Sequence, residues 1–150
     1  MQVEEFLITM PDGIRLAADL FVPDDLHGQG PLPAVLEYLP YRKDDGRERT
    51  WDLFSYVVER GYVGARVDIR GTGRSEGVLP DREYSDQEQA DGEVMIDWLS
   101  RQPWSNGNVG MWGISWGGFN SIQMAMREPA PPALKSICAL MATDDLFHDD

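Results

Sequence analysis

The alternation of apolar and polar segments along the chain predicts an α/β domain. Short apolar runs predict buried strands, and longer segments with apolar residues three or four positions apart predict helices. Pro11-Asp12-Gly13 is a turn sequence between two of the strands and predicts an antiparallel hairpin. The later strands alternate with helices, which favours a mainly parallel sheet. The expected strands are Leu7–Met10, Ile14–Val22, Ala34–Leu39, Tyr62–Ile69, Val109–Ile114 and Leu134–Ala142.

Capping residues indicate where the helices begin and end. Thr50 is expected to cap a first helix, which stops at Gly61 because glycine readily takes a left-handed conformation. Ser85 and Glu88 have the spacing of a capping box at the start of a second helix. A third helix is expected over Trp116–Arg127. The order of elements is that of a mainly parallel sheet flanked by helices, with right-handed crossovers.

The charge balance limits the partners of the protein. The 150 residues include 26 acidic and 13 basic side chains, a formal net charge of −13. The acidic residues are spread along the chain, as expected of a solubilising surface. A field of this sign repels nucleic acids and anionic membranes, so neither is expected as a partner.

Two further features bear on the compartment. Residues 1–6 are acidic and lack the basic start of a signal peptide, and no apolar run reaches membrane-spanning length, so we expect a cytoplasmic protein. Cys138, the one cysteine, lies in an apolar run and is expected to be buried and inert. A single cysteine excludes an intrachain disulfide and a metal site built from clustered thiolates.

The sequence Gly113-Ile114-Ser115-Trp116-Gly117 fits the G-x-S-x-G pattern of a nucleophile elbow. In such an elbow the serine lies on a strained turn between a buried strand and a helix, and the flanking glycines let the two elements approach closely. Both neighbouring elements are predicted here. Ser115 is therefore the candidate nucleophile. The alternative interpretation is an ordinary helix N-cap serine.

An acyl-transfer nucleophile also needs donors that stabilise the oxyanion. The backbone N–H of Trp116, the residue after the candidate nucleophile, is the donor expected from elbow geometry. A second donor is expected from the loop after the strand Ala34–Leu39, where the usual glycine run is missing and Tyr41 offers a hydroxyl. A packed loop aromatic is an equally good interpretation of Tyr41 from its position alone.

Three segments together resemble the family of X-prolyl dipeptidyl peptidases, cocaine esterases and α-amino-acid ester hydrolases. They are residues 39–43 (LPYRK), 68–77 (DIRGTGRSEG) and 102–110 (QPWSNGNVG), the last running into the elbow. The resemblance covers nearly the whole chain. It implies an α/β-hydrolase fold and assigns the oxyanion hole to the Tyr41 hydroxyl and the Trp116 amide. Trp116 stands where many members carry tyrosine, which leaves the backbone donor intact but alters the pocket.

The glycines of residues 68–77 also invite a dinucleotide-binding interpretation. The third glycine position of that fingerprint is occupied by Glu76, and Pro80 prevents a helix from starting at once. We therefore expect a structural turn held by Asp68, Arg70 and the glycines. Neither an organic cofactor nor a metal is expected.

The general base and its acid are not recognisable in these 150 residues. In α/β-hydrolases both follow the serine along the chain. His27 precedes Ser115, and His148 follows it too closely to be the expected base. The resemblance places an amine-binding carboxylate of some members near Asp149 and Asp150, although a solvated acidic turn is the preferred interpretation. We expect residues 1–150 to be the N-terminal part of a catalytic domain.

These observations predict a serine hydrolase that cleaves an ester or amide bond of a small molecule or peptide through an acyl-serine intermediate. The sequence does not distinguish peptidase, esterase and acylase activities. Two alternatives are a non-catalytic binding module with the same fold and an inactive truncated remnant. In the remnant the strand Leu134–Ala142 would leave an uncovered hydrophobic edge.

Overall fold

The computed structural model describes residues 1–45 and 47–145, apart from the side chains of residues 47 and 49. His148, Asp149 and Asp150 lie outside the described residues. The elements of the described part follow one another as β1 (Gln2–Thr9), β2 (Arg15–Val22), β3 (Leu32–Leu39), α1 (Arg47–Glu59), β4 (Val63–Asp68), α2 (Asp86–Ser100), β5 (Ser105–Ile114), α3 (Trp116–Met126) and β6 (Leu134–Leu140).

The strands form one mixed sheet in the order β1-β2-β4-β3-β5-β6. The opening hairpin is antiparallel, and β2 also runs antiparallel to β4. The pairs β3–β4, β3–β5 and β5–β6 are parallel. This arrangement confirms the predicted α/β-hydrolase sheet. The chain passes from β3 to β4 on one side and then to β5 on the other, so the strand order reverses at β3. Ligands of open α/β sheets bind outside the carboxyl ends of the strands at such a reversal.

Helices cover both faces of the sheet. On one face α2 and α3 pack over the main core, to which Leu36, Val67 and Met95 contribute fully buried side chains. On the other face Phe54 of α1 stacks on Phe21 of β2, with ring centroids 4.0 Å apart. Central strands covered on both sides are apolar nearly throughout, which explains why their sequence runs are continuous.

The structure corrects the predicted start of the first helix. The helix begins at Arg47, so Thr50 lies inside it rather than at its cap. The Thr50 hydroxyl instead accepts a hydrogen bond from Arg66 of β4 at 2.9 Å. Gly61 ends the helix region as predicted, with a φ of 81°. Ser85 is the N-cap of α2, and its side chain accepts from the Glu88 N–H at 3.2 Å.

The expectation that β6 is a buried strand with a buried cysteine was wrong. Cys138 is exposed, as are Ile137 and Leu140 of the same strand. β6 is the last strand in the order and pairs only with β5 among the described strands. Apolar sequence alone predicts burial on two faces, but an edge position leaves one side of the strand open.

Residues 68–77 form a closed turn. One carboxylate oxygen of Asp68 accepts from the backbone N–H of Lys43, and the other accepts from that of Arg74. Gly73 has a φ of 52°, and a Cβ there would lie 2.1 Å from the Asp68 carboxylate. The next helix begins only at Asp86. The glycines therefore serve the turn itself, as predicted.

Candidate active site

Ser115 lies in a strained turn between β5 and α3. Its backbone has φ 56° and ψ −118°, a combination that costs a non-glycine residue about 1–3 kcal/mol. The Ser115 N–H donates to the carbonyl of Leu140 in β6 at 2.9 Å, and the Ser115 carbonyl accepts from Phe119 at 2.9 Å to begin the helix. Hydrogen bonds on both sides of the residue hold the strained conformation in place.

The Ser115 side chain is exposed and makes no capping hydrogen bond to α3. Serine normally occupies a helix N-cap because its oxygen accepts from the first turn of the helix. Since this bond is missing and the φ is positive, the N-cap interpretation does not account for the residue. The hydroxyl is directed away from the helix, toward the loop that follows β3.

The glycines around Ser115 do not contribute equally. A Cβ on Gly113 would lie 2.4 Å from the carbonyl carbon of Gly117, and one on Gly118 would lie 2.7 Å from the Leu140 carbonyl oxygen. A Cβ on Gly117 meets nothing nearer than the Tyr38 carbonyl oxygen at 3.7 Å. The predicted steric role therefore belongs to Gly113 and Gly118. The expectation that Gly117 must lack a side chain was wrong.

This difference predicts opposite results for two alanine substitutions. In the full-length protein, Gly113→Ala forces strand and helix apart and should destabilise the fold by about 3 kcal/mol or more. Gly117→Ala should leave stability unchanged or raise it slightly, because alanine in a helix is favoured over glycine by about 0.5–1 kcal/mol. Thermal unfolding of the two variants beside wild type measures both effects. Equal losses for the two variants would contradict this account of the elbow.

Tyr41 lies beside the elbow. Its hydroxyl oxygen is 3.4 Å from Ser115 Oγ, and half of the Tyr41 side chain is exposed to solvent. The separation is longer than an ordinary O–H···O hydrogen bond, so the two groups touch loosely. The contact arises because β3 and β5 are parallel neighbours, which brings the segments after their carboxyl ends together. The structure thus places the Tyr41 hydroxyl next to Ser115.

Lys43 anchors the loop that carries Tyr41. The Lys43 ammonium is buried and binds Asp19 at 2.7 Å and Asp44 at 2.9 Å. The Lys43 backbone N–H donates to the Asp68 carboxylate. Burial raises the pKa of that carboxyl group. Arg42, the residue between Tyr41 and this anchor, has a φ of 60°. A charged anchor replaces the missing glycine run and holds an otherwise exposed loop in one conformation.

Trp116 is the first residue of α3. The N–H groups at a helix start have no partner within the helix and form the positive end of its dipole. The Trp116 amide therefore lies next to Ser115 at the positive end of α3. The indole Nε1 of Trp116 donates to the Glu88 carboxylate at 2.7 Å.

Glu88 is buried under the elbow. Besides Trp116, its Oε1 accepts from Asn120 Nδ2 at 2.9 Å, and Asn120 also donates to the Tyr38 carbonyl oxygen at 3.1 Å. Burial raises the Glu88 pKa above its usual range, and hydrogen bonds from Trp116, Asn120 and the Tyr84 backbone counteract part of this rise. One carboxylate thus connects α2 to two residues of α3.

Aromatic rings extend the site on the α2 side. The Tyr84 ring lies 4.9 Å from that of Trp116 and 5.3 Å from that of Phe119, measured between centroids. Burial raises the Tyr84 pKa to about 12, with smaller contributions from Glu83, Tyr41 and Glu88. The phenol therefore stays neutral at physiological pH.

Sequence reasoning identified Ser115, Tyr41 and Trp116, which the structure brings together, but it missed three of their supports. Lys43 and Glu88 were noticed only as parts of a loop motif and a capping box, and Tyr84 was not singled out. The signal for Lys43 was a cation beside the predicted strand end. Glu88 carried no signal that distinguished it from an ordinary N3 capping residue.

In the described part of the chain the one histidine is His27, in the loop before β3. Because β3 and β5 are parallel neighbours, the start of β3 and the end of β5 lie at opposite ends of the strands. His27 is therefore remote from Ser115, as the sequence predicted. The other histidine, His148, is not among the described residues.

One group of three carboxylates among the described residues lies close enough to share a cation: Glu5, Asp19 and Asp44. The Lys43 ammonium binds Asp19 and Asp44. Arg74 binds Glu5 at 2.8 Å and Asp44 at 2.9 Å. Two cations of the chain thus bind the three carboxylates, and the contacts of Lys43 among them belong to the anchoring of the Tyr41 loop.

Comparison with known proteins identifies the relatives of this site. Residues 12–150 match the family described as X-Pro dipeptidyl-peptidase (S15 family). The chain belongs to this family. Its membership confirms the resemblance seen in the three sequence segments and the predicted class, that of the serine hydrolases.

Individual proteins are similar to this chain over nearly all of its length. Cocaine esterase of Rhodococcus sp. (strain MB1 Bresler) is 36% identical over 147 residues, which cover 95% of this chain and 24% of the esterase. A CocE/NonD family hydrolase from Staphylococcus aureus superposes with a TM-score of 0.75 and 28% identity over 90% of this chain and 26% of that protein. An α-amino acid ester hydrolase superposes with a TM-score of 0.71 and 31% identity over 91% of this chain and 24% of that protein.

The chain spans about a quarter of the length of the curated relatives it matches. The names of these relatives are those of esterases and hydrolases. Among the described residues, none of the helices combines the length and the apolar character needed to cross a membrane.

Proposed function

We propose that this chain supplies the nucleophile and the oxyanion hole of a serine hydrolase that cleaves an ester or amide bond. The observation that carries the proposal is the approach of the Tyr41 hydroxyl to within 3.4 Å of Ser115 Oγ, on a strained turn whose serine is exposed and does not cap its helix. A serine hydroxyl held in this way is placed to attack a carbonyl carbon, with the phenolic O–H of Tyr41 beside it as a hydrogen-bond donor.

The mechanism follows from the positions of these groups. Ser115 Oγ attacks the carbonyl carbon of the substrate as its proton passes to a histidine base. The carbonyl oxygen takes up negative charge and accepts hydrogen bonds from the Tyr41 O–H and the Trp116 N–H, the latter at the positive end of α3. The protonated histidine gives its proton to the departing alcohol or amine as the acyl C–O or C–N bond breaks, and an acyl-serine remains. The histidine, neutral again, takes a proton from water as the water attacks the acyl carbon, and it returns that proton to Ser115 Oγ as the acid leaves.

We propose further that residues 1–150 are the N-terminal part of the catalytic domain, and that the base and its acid are supplied by sequence that follows. Two observations support this. His27 lies at the opposite end of the strands from Ser115, and the matched relatives are about four times as long as this chain. The exposed apolar side chains of β6 offer a surface on which a continuing sheet would pack.

A non-catalytic binding module with the same fold is the alternative. It does not explain the strained backbone at Ser115 or the phenol beside its hydroxyl, because binding alone requires neither. The inactive-remnant alternative predicts an aggregating 150-residue protein without esterase activity.

The proposed function is tested by assaying the full-length protein against two substrate classes. One is a short-chain nitrophenyl ester and the other is an aminoacyl-proline nitroanilide. We expect hydrolysis of at least one, at a rate proportional to enzyme concentration. A folded full-length protein that hydrolyses neither, and that also fails to cleave an α-amino acid ester, would contradict the proposal.

The substrate is therefore proposed as a small molecule or a peptide with a hydrolysable acyl bond. The absence of nucleic-acid and membrane partners remains a prediction, with the net charge of −13 as its support. A cytoplasmic location also remains a prediction.

A further inference from the structure

Both proposed oxyanion donors are attached to one hydrogen-bonded group beneath the elbow. Trp116 carries the amide donor, and its indole binds Glu88. Tyr41 follows Tyr38 by three residues at the end of β3, and the Tyr38 hydroxyl donates to the Glu88 backbone oxygen at 3.2 Å. The segments that bear the two donors are thus joined through a single residue of α2.

Asn120 closes the group from the helix side. It lies four residues after Trp116, so the two side chains share one face of α3. Its amide donates to both the Glu88 carboxylate and the Tyr38 carbonyl oxygen. Glu88 and Asn120 are each 2% exposed, so water does not compete for these bonds. Three elements, β3, α2 and α3, meet in a dry polar contact directly below Ser115.

We infer that Glu88 is a positioning residue, which sets the spacing between the Tyr41 and Trp116 donors of the oxyanion hole. It does not touch the reacting atoms. It acts through the Trp116 indole and, through Tyr38, on the strand end that leads to Tyr41. This inference rests on the proposed function, since it assigns a role within that oxyanion hole.

The contacts of Glu88 go beyond what a capping residue requires. In a capping box the N3 carboxylate returns to the N–H of its own N-cap residue. The Glu88 carboxylate does accept from the backbone of Tyr84, the residue before the N-cap, but its Oε1 faces α3 and accepts two side-chain hydrogen bonds there. An oxyanion hole tolerates little error, because misplacement of a catalytic group by about 1 Å can lower the rate by about a hundredfold. A rigid link between its two sides is therefore of direct catalytic value.

The test compares Glu88→Gln with Glu88→Leu in the full-length protein. Glutamine keeps a carbonyl oxygen that accepts from Trp116 and Asn120, whereas leucine fills a similar volume with no acceptor. We expect Glu88→Gln to lower kcat by less than about threefold and Glu88→Leu by about ten- to a hundredfold, with KM for a small ester nearly unchanged. The matched control is Glu93→Leu, a half-exposed glutamate of the same helix, which should keep wild-type kcat.

Activity is expressed per active site, counted by complete labelling with a fluorophosphonate. A merely structural role lowers the number of sites and the melting temperature but leaves kcat per site unchanged. Trp116→Phe provides a second variant at a half-buried position, should Glu88→Leu not fold. It keeps an aromatic side chain but loses the N–H donor, and it should lower kcat per site as Glu88→Leu does.

Wild-type kcat per site in both Glu88→Leu and Trp116→Phe would overturn the inference while leaving the proposed function intact. Equal losses in the glutamine and leucine variants would also overturn it, because the acceptor would then be irrelevant. A wild-type protein that neither labels nor hydrolyses would show that the proposed function itself has failed.

Discussion

Replacing Ser115 with alanine in the full-length protein should lower kcat/KM for its best ester or amide substrate by about 10⁴- to 10⁶-fold. The substitution removes the atom that forms the acyl intermediate, and no other described hydroxyl shares the exposed elbow position. Stability should be unchanged or slightly higher, since the hydroxyl makes no capping bond whose loss would destabilise α3. Steady-state hydrolysis measured to the background rate, with a thermal melt of each protein, checks both statements.

Ser100→Ala is the matched control for this result. Ser100 ends α2, and its hydroxyl donates to the carbonyl of Asp97 within its own helix. Its loss should leave kcat/KM at the wild-type value. A Ser115→Ala protein that retains more than about a tenth of wild-type activity would exclude covalent catalysis by this serine.

Replacing Tyr41 with phenylalanine should lower kcat by about 10²- to 10³-fold, the cost of removing one donor from an oxyanion hole. The ring, its packing and the anchored loop remain, and so does the Trp116 donor. Because the phenolic O–H contributes most when charge develops on the substrate oxygen, KM should change little. Initial rates over a range of ester concentrations separate the two parameters.

Tyr56→Phe is a close control for Tyr41→Phe. Tyr56 lies on α1 and is 55% exposed, against 52% for Tyr41, so both substitutions remove one solvent-facing phenol. Only the Tyr41 variant should lose activity. A higher KM at constant kcat would instead mean that Tyr41 binds the substrate equally in the ground and transition states, which would contradict its oxyanion role.

The elbow was predictable from sequence because its determinants are local. A strand, a helix and a serine between glycines specify the turn through neighbouring residues alone. Even so, the pattern did not show which glycine is sterically required. The requirement depends on how closely Gly113 approaches Gly117 and on how closely Gly118 approaches Leu140. Leu140 belongs to another strand, so the second approach cannot be seen in the local sequence.

The partnership of Tyr41 with Ser115 required more than local pattern. The two residues are 74 positions apart, and they meet because β5 pairs with β3 rather than with β4, the preceding strand. Hydrophobic periodicity predicts strands but not their order. Family resemblance supplied the pairing of roles, and the sheet topology explains it.

The remaining errors have related causes. Cys138 was predicted to be buried because its run is apolar, yet burial depends on what lies beside and above the strand. Thr50 was predicted as a helix cap from its residue type, but the helix begins about one turn earlier, at Arg47. The Thr50 hydroxyl accepts a hydrogen bond from Arg66 instead. Glu88 satisfied a capping pattern, which concealed its contacts with α3. Each outcome was decided by residues distant in sequence.

The central claim is that Ser115 is the nucleophile, and covalent labelling tests it most directly. The full-length protein is treated with a fluorophosphonate, digested and examined by mass spectrometry to locate the adduct. We expect one adduct, on Ser115, formed in parallel with the loss of hydrolytic activity. Loss of activity with the adduct on another residue, or full activity with Ser115 unmodified after prolonged treatment, would contradict it.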